Sequence, residues 1–561
     1  MTAERVSLAD IARRAGVQRP AASNWRRRHP DFPDPLEGTG GELFDADEAA
    51  AWLDGRRIPV NVLRPGEEPG TTFGDRFRGA AGTAAAAREA SGAPPPAERA
   101  DAAARIWKVL DGVRGFADPA DLTESVLALV CCRAVDPRGF DRFRDALGSA
   151  PPSEAGDLLL QAWAGVSHRT ATPLDAPPVP RDAGGGRALA AVAEILHETG
   201  PPVEDEHGRP RWGPSGVARL HEAVLGRIAV LEGHRGGEFH TPRSVVRTMV
   251  EMVRPAAGER VHDPCCGTGG MLAGVIAYAR GSAPADAPPP EVSGASLTER
   301  GRRLSAMNLL VHGVRPDVRS SALDEVGAPP GRTPRFDAIV TNPPFTLPMA
   351  PADPGGLHWR YGEPPARNTG FVWLQSVLAM LSDGGRAAVV TANGATFSLH
   401  RSEQTIRAAM VEDGVVDCVV ALPPRLFAST TIPVSLWILR KGGPGGGGTL
   451  LIDASRLGHV GARAARTLTG ADVGRISGAY RAWREGRFQD EPGFARGVGL
   501  DQIRARGHSL FPPAYMATGP AQADLAAARG DVERLRADLS RLHARAAGVD
   551  RDVDRLLGDG R

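Results

Sequence analysis

Residues 261–270 read VHDPCCGTGG, and the apolar segment MLAGVIAYA follows directly at 271–279. The first part has the composition of a strand that ends in a glycine-rich turn, and the second has that of a helix. Glycines in such a turn let the backbone approach a ligand closely, and the helix offers unpaired N–H groups at its N-terminus. The stretch therefore predicts a ligand site between a strand and a helix.

Short apolar runs alternate with amphipathic runs along the chain after this stretch. The predicted strands include FDAIVTNPPF at 336–345, GRAAVVTAN at 385–393 and VVDCVVALP at 415–423. The predicted helices between them include RRLSAMNLLVHG at 302–313 and FVWLQSVLAML at 371–381. Alternation of this kind is typical of a mostly parallel sheet with helices on both faces, so the predicted fold class is α/β and Rossmann-like.

The glycine turn is not the turn of a dinucleotide enzyme or of a phosphate loop. An acid, Asp263, precedes the glycines, the spacing differs from G-x-G-x-x-G, and no G-K-[ST] follows. A carboxylate at a strand end beside Gly267–Gly270 suits a ligand that joins a cationic amino-acid portion to a nucleoside. S-adenosylmethionine has that combination.

The turn Asn342-Pro343-Pro344-Phe345 predicts a site for an exocyclic amine. Two consecutive prolines remove two N–H groups and leave acceptors, namely the Pro343 carbonyl and the Asn342 side-chain oxygen. Two acceptors could draw the hydrogens of an adenine amine out of the ring plane and localise its lone pair. Phe345 would stack on the base, which must leave the duplex to be held in this way.

The order of several motifs resembles the modification subunit of type I restriction-modification systems. The motifs are EFHTPR at 238–243, DPCCGTGGML at 263–272, MNLLVHG at 307–313, FDAIVTNPPF at 336–345, LPPRLF at 422–427 and GHSLFPPAYM at 507–516. Members of that family are adenine-N6 DNA methyltransferases with a helical domain before the catalytic sheet. The resemblance runs from about residue 105 to residue 520.

The resemblance implies a set of site residues and partners. The implied cofactor-binding residues are Glu238, Phe239, His240, Thr241, Pro242, Arg243, Asp263, Gly267, Thr268, Gly269, Gly270 and Ser296. The implied catalytic residues, which hold the target adenine, are Asn342, Pro343, Pro344 and Phe345. The implied partners are duplex DNA, a separate specificity subunit and, where a nuclease accompanies the system, a restriction subunit.

Three positions depart from the family pattern. Ser296 stands where the family has an acid that accepts from the ribose hydroxyls, and Ser321, with Asp324 three residues on, stands near another expected acid. His240 replaces an aromatic residue such as tyrosine. Exchange of a charge-assisted hydrogen bond for a neutral one costs on the order of 1 kcal/mol, so these positions predict weakened or lost cofactor binding.

Six segments are expected. They are a helix-turn-helix or winged-helix-like DNA-binding module at 1–60, a flexible Ala/Gly/Pro linker at 61–104, a helical domain at 105–232, the catalytic domain at 233–455, an extension at 456–519 and a coiled-coil helix at 520–558. The first module has Ser7 as helix cap and seven arginines up to residue 30; a three-helix protein-docking module is the alternative. The last helix carries an apolar stripe for a partner helix, or for this chain's own helical domain.

Composition limits the function classes. Basic side chains number 67 and acidic ones 66, so a nucleic-acid surface must be a local patch. Five cysteines without C-x-x-C spacing argue against a disulfide framework and a zinc site, and no bound metal is expected. With neither a signal peptide nor a long apolar run, a cytoplasmic location is expected.

Three alternatives to the adenine methyltransferase remain. A regulator could keep the fold and bind DNA without productive cofactor binding, given Ser296 and Ser321. The N-P-P-aromatic turn also serves enzymes that methylate a protein glutamine amide, although tyrosine is commoner there. A cytosine-C5 enzyme would need a thiol at the substrate turn, whereas Cys265 and Cys266 lie in the glycine turn.

Overall fold

The computed structural model describes residues 5–15, 17, 19–29, 31–35, 43–58, 70–78, 96–113, 118–198, 216–232, 241–282, 288–320, 335–345, 359–365, 369–427, 432–442, 448–460, 466–516, 530 and 532–545. The chain divides into two compact units, Met1–Glu98 and Arg99–Arg561. Among the described residues no helix is long and apolar enough to cross a membrane.

The first unit is a small helical module closed by a pair of strands. Its elements are strand β1 (Arg5–Ser7), helix Leu8–Ala15, helix Arg19–Arg28, strand β2 (Leu43–Asp45) and helix Ala46–Asp54. β1 and β2 pair antiparallel. Ser7 begins the first helix as the sequence predicts, because its hydroxyl accepts from the Asp10 N–H and its own N–H donates to the Asp10 carboxylate.

Part of the predicted linker is folded. Residues 73–78 form a short helix, and their apolar side chains join the core of the first unit, where Phe73 packs edge-on against Trp25 at 5.3 Å. Arg78 adds an ion pair with Asp54. Two phenylalanines four residues apart are enough to bury one face of a helical turn, so this module extends to residue 78. A further helix, Pro96–Gly112, also begins inside the predicted linker.

A layer of helices follows in the second unit. It comprises Pro96–Gly112, Pro119–Val135, Pro137–Leu147, Ala155–Thr170, Ala183–Glu198 and Gly216–Glu232. Its core includes the buried thiols Cys131 and Cys132. It also includes Met307 and Leu310, which belong to the catalytic part of the chain. Helical layer and catalytic sheet therefore share a hydrophobic core.

A nine-stranded sheet is the centre of the second unit. Its strands are Arg260–Asp263 (β3), Glu291–Ser296 (β4), Val318–Ser320 (β5), Phe336–Thr341 (β6), Leu381–Ala392 (β7), Val416–Ala421 (β8), Val434–Arg440 (β9), Thr449–Asp453 (β10) and Ala495–Val498 (β13). The order is β13-β10-β8-β9-β7-β6-β3-β4-β5. The neighbouring strands β7, β6, β3, β4 and β5 pair in parallel, and so do β8 and β10. Strand β9 pairs antiparallel with both β7 and β8, and β13 pairs antiparallel with β10.

Helices cover both faces of this sheet. They are Arg243–Val253, Gly270–Ser282, Glu299–Val311, Gly370–Met380, Arg401–Glu412, Gly470–Arg484, Leu500–Arg504 and Pro513–Met516, and a separate hairpin joins His459–Val460 (β11) to Arg466–Thr467 (β12). In β6, Ala338 and Val340 face one apolar core and Ile339 faces the other. Burial on both faces explains the apolar run Ala338–Val340, and the mostly parallel sheet between helices confirms the predicted α/β fold.

The C-terminal extension is part of the same unit. Residues 495–498 supply the edge strand β13, and the helix Gly470–Arg484 places Tyr480 against the sheet. The Tyr480 hydroxyl donates to the buried Asp417 carboxylate at 2.7 Å. Beyond it, residues 532–545 form a helix that exposes an apolar stripe, namely Val532, Leu535, Leu539 and Leu542. Residues 520–529, 531 and 546–558 of the predicted coiled coil lie outside the described residues.

Candidate functional site

The glycine turn after β3 is built around a buried carboxylate. Asp263 ends the strand, and its Oδ1 accepts from the Cys265 N–H at 3.0 Å. Gly267 and Gly269 have φ of 48° and 76°, a region that side-chain-bearing residues rarely adopt. A Cβ at Gly269 would lie 2.7 Å from Ser305 Oγ, so the turn also packs directly on the helix Glu299–Val311. Only glycine fits at that position.

The turn leads into the helix Gly270–Ser282, whose first N–H groups face the turn. Asn308 fixes the turn from the next helix, because its side-chain amide donates to the Thr268 carbonyl at 3.0 Å. Leu297, directly after β4, leaves 37% of its side chain exposed at the same edge of the sheet. These residues, which we call the cradle, bring a carboxylate, helix N–H groups and a partly exposed apolar side chain to one edge of the sheet.

Burial raises the pKa of Asp263 to about 6, although the hydrogen bond from the Cys265 N–H and the nearby Thr341 side chain lower it. A neighbouring cation would stabilise the ionised form of this carboxyl group, which burial disfavours. The cradle therefore fits the cationic amino-acid portion of S-adenosylmethionine.

The second corner, at 342–345, leaves one acceptor atom of Asn342 unused. The buried Asn342 donates from Nδ2 to Thr241 Oγ1 at 3.1 Å, whereas its Oδ1 has no hydrogen-bond partner among the described residues. The Pro344 carbonyl is already used, since it accepts from the Thr369 hydroxyl at 2.8 Å. A buried acceptor without a partner costs free energy unless a ligand supplies a donor, so Asn342 Oδ1 indicates a site for an N–H group.

The two corners leave neighbouring parallel strands. His262 of β3 is paired with Ile339 of β6, so Asp263 is level with Val340, two residues before Asn342. Carboxyl ends of parallel strands meet at one edge of a sheet, where open α/β sheets bind their ligands. The structure thus brings the glycine turn and the N-P-P-F turn to the same edge.

The other residues of the predicted site either make contacts within the protein or lie outside the described residues. Ser296 Oγ donates to the Thr298 carbonyl at 3.0 Å, which occupies its single hydroxyl hydrogen. Pro242 caps the helix Arg243–Val253, and Arg243 forms an ion pair with Glu222 of the helical layer. Glu238, Phe239, His240, Ser321 and Asp324 lie outside the described residues. Phe345 is half-buried against the core below the corner.

Two contacts were beyond sequence reasoning. Thr241 was expected to touch the cofactor, and its bond to Asn342 carried no signal because 101 residues separate the two. Thr369 lies in no motif, yet it holds the Pro344 carbonyl. In the part of the chain that the structure describes, no group of three or more His, Cys, Asp or Glu side chains could hold a metal ion.

Comparison with known proteins identifies relatives along most of the second unit. The family model for N-6 DNA Methylase matches residues 215–524. The HindI methylase subunit of a type I restriction enzyme from Haemophilus influenzae is 30% identical over 348 residues, which is 61% of this chain and 77% of that protein. The MjaIX methylase subunit from Methanocaldococcus jannaschii is 31% identical over 53% of this chain and 55% of that protein.

Solved structures are similar in fold. The methyltransferase subunit of a type I restriction-modification system from Streptococcus thermophilus matches with a TM-score of 0.56 and 20% identity, over 74% of this chain and 99% of that one. A modification subunit of a type I restriction enzyme from Vibrio vulnificus matches with a TM-score of 0.52 and 19% identity, over 72% and 93%. At these identities the likeness concerns the fold alone.

Proposed function

Since this chain belongs to the N-6 DNA methylase family, we propose that it transfers a methyl group from S-adenosylmethionine to N6 of adenine in duplex DNA. It acts as the modification subunit of a type I restriction-modification or related defence system, as its relatives are named. The observation that carries the proposal is the buried, unpartnered Oδ1 of Asn342 at the sheet edge that also holds the glycine turn.

The substrate amine is held by acceptors. Asn342 Oδ1 and the Pro343 carbonyl each accept one N6 hydrogen, while Thr241 and Thr369 occupy the neighbouring polar atoms of the same turn. Acceptors fixed in this way localise the amine lone pair at no reorganisation cost during the reaction. Phe345 stacks on the extruded base. No strong base is needed, because the methylated ammonium loses its proton to solvent.

The cofactor is held by the chain's own turn residues. Asp263 would bind its ammonium group, Gly267 to Gly270 would give its methionine portion close backbone contact, and the partly exposed Leu297 would pack on its adenine ring. S-adenosylmethionine supplies a methyl group on a positively charged sulfur. The resemblance implies that the segment Glu238 to Arg243 lies at the methionine end; within that segment, Thr241 acts through its hydrogen bond to Asn342.

Tritiated-methyl transfer tests this function. We expect the wild-type chain to label DNA isolated from cells that lack the modification system. Asn342→Ala should lose most of that labelling, because one of the two acceptors for the adenine amine is removed. The exposed amide of Gln502 provides a matched control, and Gln502→Ala should label normally. Equal labelling by Asn342→Ala and the wild type would refute the assignment of the corner.

The exposed stripe of the C-terminal helix is proposed as the contact for a specificity subunit. Leu535, Leu539 and Leu542 are spaced by four and three residues and face solvent in this chain. Leu535→Asp with Leu539→Asp should abolish co-purification of the specificity subunit, whereas Glu533→Ala, an exposed position on the opposite side of the helix, should preserve it. An intact complex with the double variant would contradict the assignment.

The first unit is proposed as an additional DNA-binding module. The helix Arg19–Arg28 contains four arginines and no acid, and exposes Asn24, Arg27 and Arg28. Substitution of these three by alanine should reduce the slope of log affinity against log salt by about 2, since each lost phosphate contact removes about 0.9. Arg57→Ala, an exposed arginine elsewhere in the module, is the control. An unchanged slope would favour the protein-docking alternative.

A non-catalytic DNA-binding regulator is the second candidate. The neutral Ser296 hydroxyl favours it, because its oxygen accepts from a ribose hydroxyl without the charge of a carboxylate and already lies 3.4 Å from the Thr298 N–H. Calorimetry with S-adenosylmethionine separates the two functions. Absence of binding at millimolar cofactor would favour the regulator, and saturable binding would favour the enzyme.

A further inference from the structure

Four large apolar side chains stay exposed in loops at the edge of the sheet that carries the candidate site: Leu297, Phe397, Leu399 and Ile432. Phe397 and Leu399 follow β7, the direct neighbour of β6, with exposed fractions of 45% and 86%. Ile432 precedes the antiparallel β9, and the Asn393 N–H donates to the adjacent Pro433 carbonyl. Exposed apolar groups concentrated at one edge indicate an interaction surface.

The loop that carries Phe397 and Leu399, residues 393–400, is held firmly from below. Arg407 is 1% exposed, and its guanidinium donates to the carbonyls of Ala395, Ser398 and His508. The Thr396 carbonyl accepts from the Leu510 N–H at 2.8 Å. A buried arginine with three carbonyl partners fixes the backbone of this loop, so Leu399 projects from a rigid support and not from a loose tip.

Phe397 has a second support. Its ring meets Phe511 of the C-terminal extension at a centroid distance of 5.1 Å and an interplanar angle of 62°. Edge-on packing of this kind leaves one side of the Phe397 ring accessible, in agreement with its exposure. The loop therefore presents an aromatic ring and an aliphatic side chain two residues apart.

The charge around this loop is suited to a polyanion. Residues 393–402 include His400 and Arg401 and contain no acid. Arg401 is exposed and, among the described residues, has no carboxylate partner. An apolar tip with an adjoining cation is the combination by which proteins insert side chains between bases while neutralising a phosphate.

We propose that the 393–400 loop is a wedge that enters duplex DNA at the step from which the target adenine is extruded. Leu399 and Phe397 fill the space that the base leaves, and Arg401 binds the flanking phosphate. The inference rests on the proposed function, since it requires an extruded adenine at the neighbouring corner. A protein partner would also cover an apolar loop, but the exposed cation Arg401 and the position beside β6 favour DNA.

A duplex with an abasic site distinguishes insertion of the loop into DNA from other roles of the loop. The probes are two duplexes of the target sequence found by methylome sequencing, one fully paired and one with an abasic site opposite the target adenine. Extrusion is easier from the second duplex. The full chain, with the subunits that co-purify with it, is compared in single-turnover methyl transfer as wild type, Leu399→Ala and Val460→Ala. Val460, 61% exposed in β11, is the matched control.

Leu399→Ala should slow transfer on the paired duplex about tenfold, because the intercalated side chain no longer offsets unstacking, and by less than about twofold on the abasic duplex. Val460→Ala should match the wild type on both. Equal rates for Leu399→Ala and wild type on the paired duplex, an equal loss on both duplexes, or loss of a co-purifying subunit would each overturn the wedge. Absence of wild-type transfer would instead refute the proposed function.

Discussion

Thr241 contributes to the site through another residue. It accepts one hydrogen from Asn342 Nδ2 and so anchors the side-chain amide, whose Oδ1 has no partner among the described residues. In Thr241→Val the amide loses this anchor, and we expect the methyl-transfer step to slow about tenfold, the effect of one hydrogen bond. Thr241→Ser should restore the rate. If calorimetry shows instead that Thr241→Val weakens cofactor binding, the residue is a direct cofactor contact.

Asp263 predicts a pH dependence of cofactor binding. Its raised pKa of about 6 means that the carboxyl is increasingly protonated below that pH and attracts an ammonium group less. The dissociation constant for S-adenosylmethionine should therefore rise as the pH falls from 7.5 to 5. Asp263→Asn should bind more weakly at pH 7.5 and show little change over this range in calorimetry. A wild-type affinity that is constant over this range would contradict the role.

The raised pKa of Asp263 also makes its contribution to folding stability fall as the pH rises, whereas most carboxylates contribute more at higher pH. Because the folded-state pKa of Asp263 lies above its ordinary value of 3.8, the neutral form is favoured in the fold. Its stabilising contribution is present below about pH 4 and is lost as the pH rises through about 6. A bound cation reverses this loss, so cofactor should stabilise the protein more at pH 7.5 than at pH 5.

At the scale of elements, the glycine turn depends on direct contact with a helix. Gly269→Ala would combine a left-handed backbone with a Cβ 2.7 Å from Ser305 Oγ, and we expect it to lower the free energy of unfolding by about 2 kcal/mol or more. Gly270→Ala is the matched control, because its Cβ would meet nothing within 4 Å. Denaturant unfolding of both variants measures the difference; equal stability would contradict this packing.

The strands that could be predicted are those that lead into a recognisable motif or that carry a run of apolar residues. β3, β4 and β6 end in motifs and are buried on both faces, so pattern and position agree. β5 is three residues long and largely exposed, and β13 has only its end residues buried, so neither has an apolar pattern. The Asn342 acceptor could be predicted from the N-P-P-F turn, whereas Thr369 could not, because only the fold brings it there.

At the scale of the whole molecule, a buried ion pair joins the helical layer to the catalytic sheet. Glu124 is fully buried and pairs with Arg303 of the helix Glu299–Val311. Removal of one partner leaves a charge uncompensated, so Glu124→Ala should cost about 3 kcal/mol of unfolding free energy. Asp145→Ala, which removes an exposed pair with Arg144, should change it by less than about 0.5 kcal/mol. Similar losses in the two variants would show that the buried pair does not join the layers.

The helix Glu299–Val311 packs against two parts of the second unit. Asn308 and Ser305 contact the glycine turn. Met307 and Leu310 are buried in the core of the helical layer. A ligand bound at the glycine turn would therefore also restrain the helix Glu299–Val311. Amide hydrogens in the helix Pro119–Val135, which touch no ligand, should exchange with deuterium more slowly once the cofactor is present.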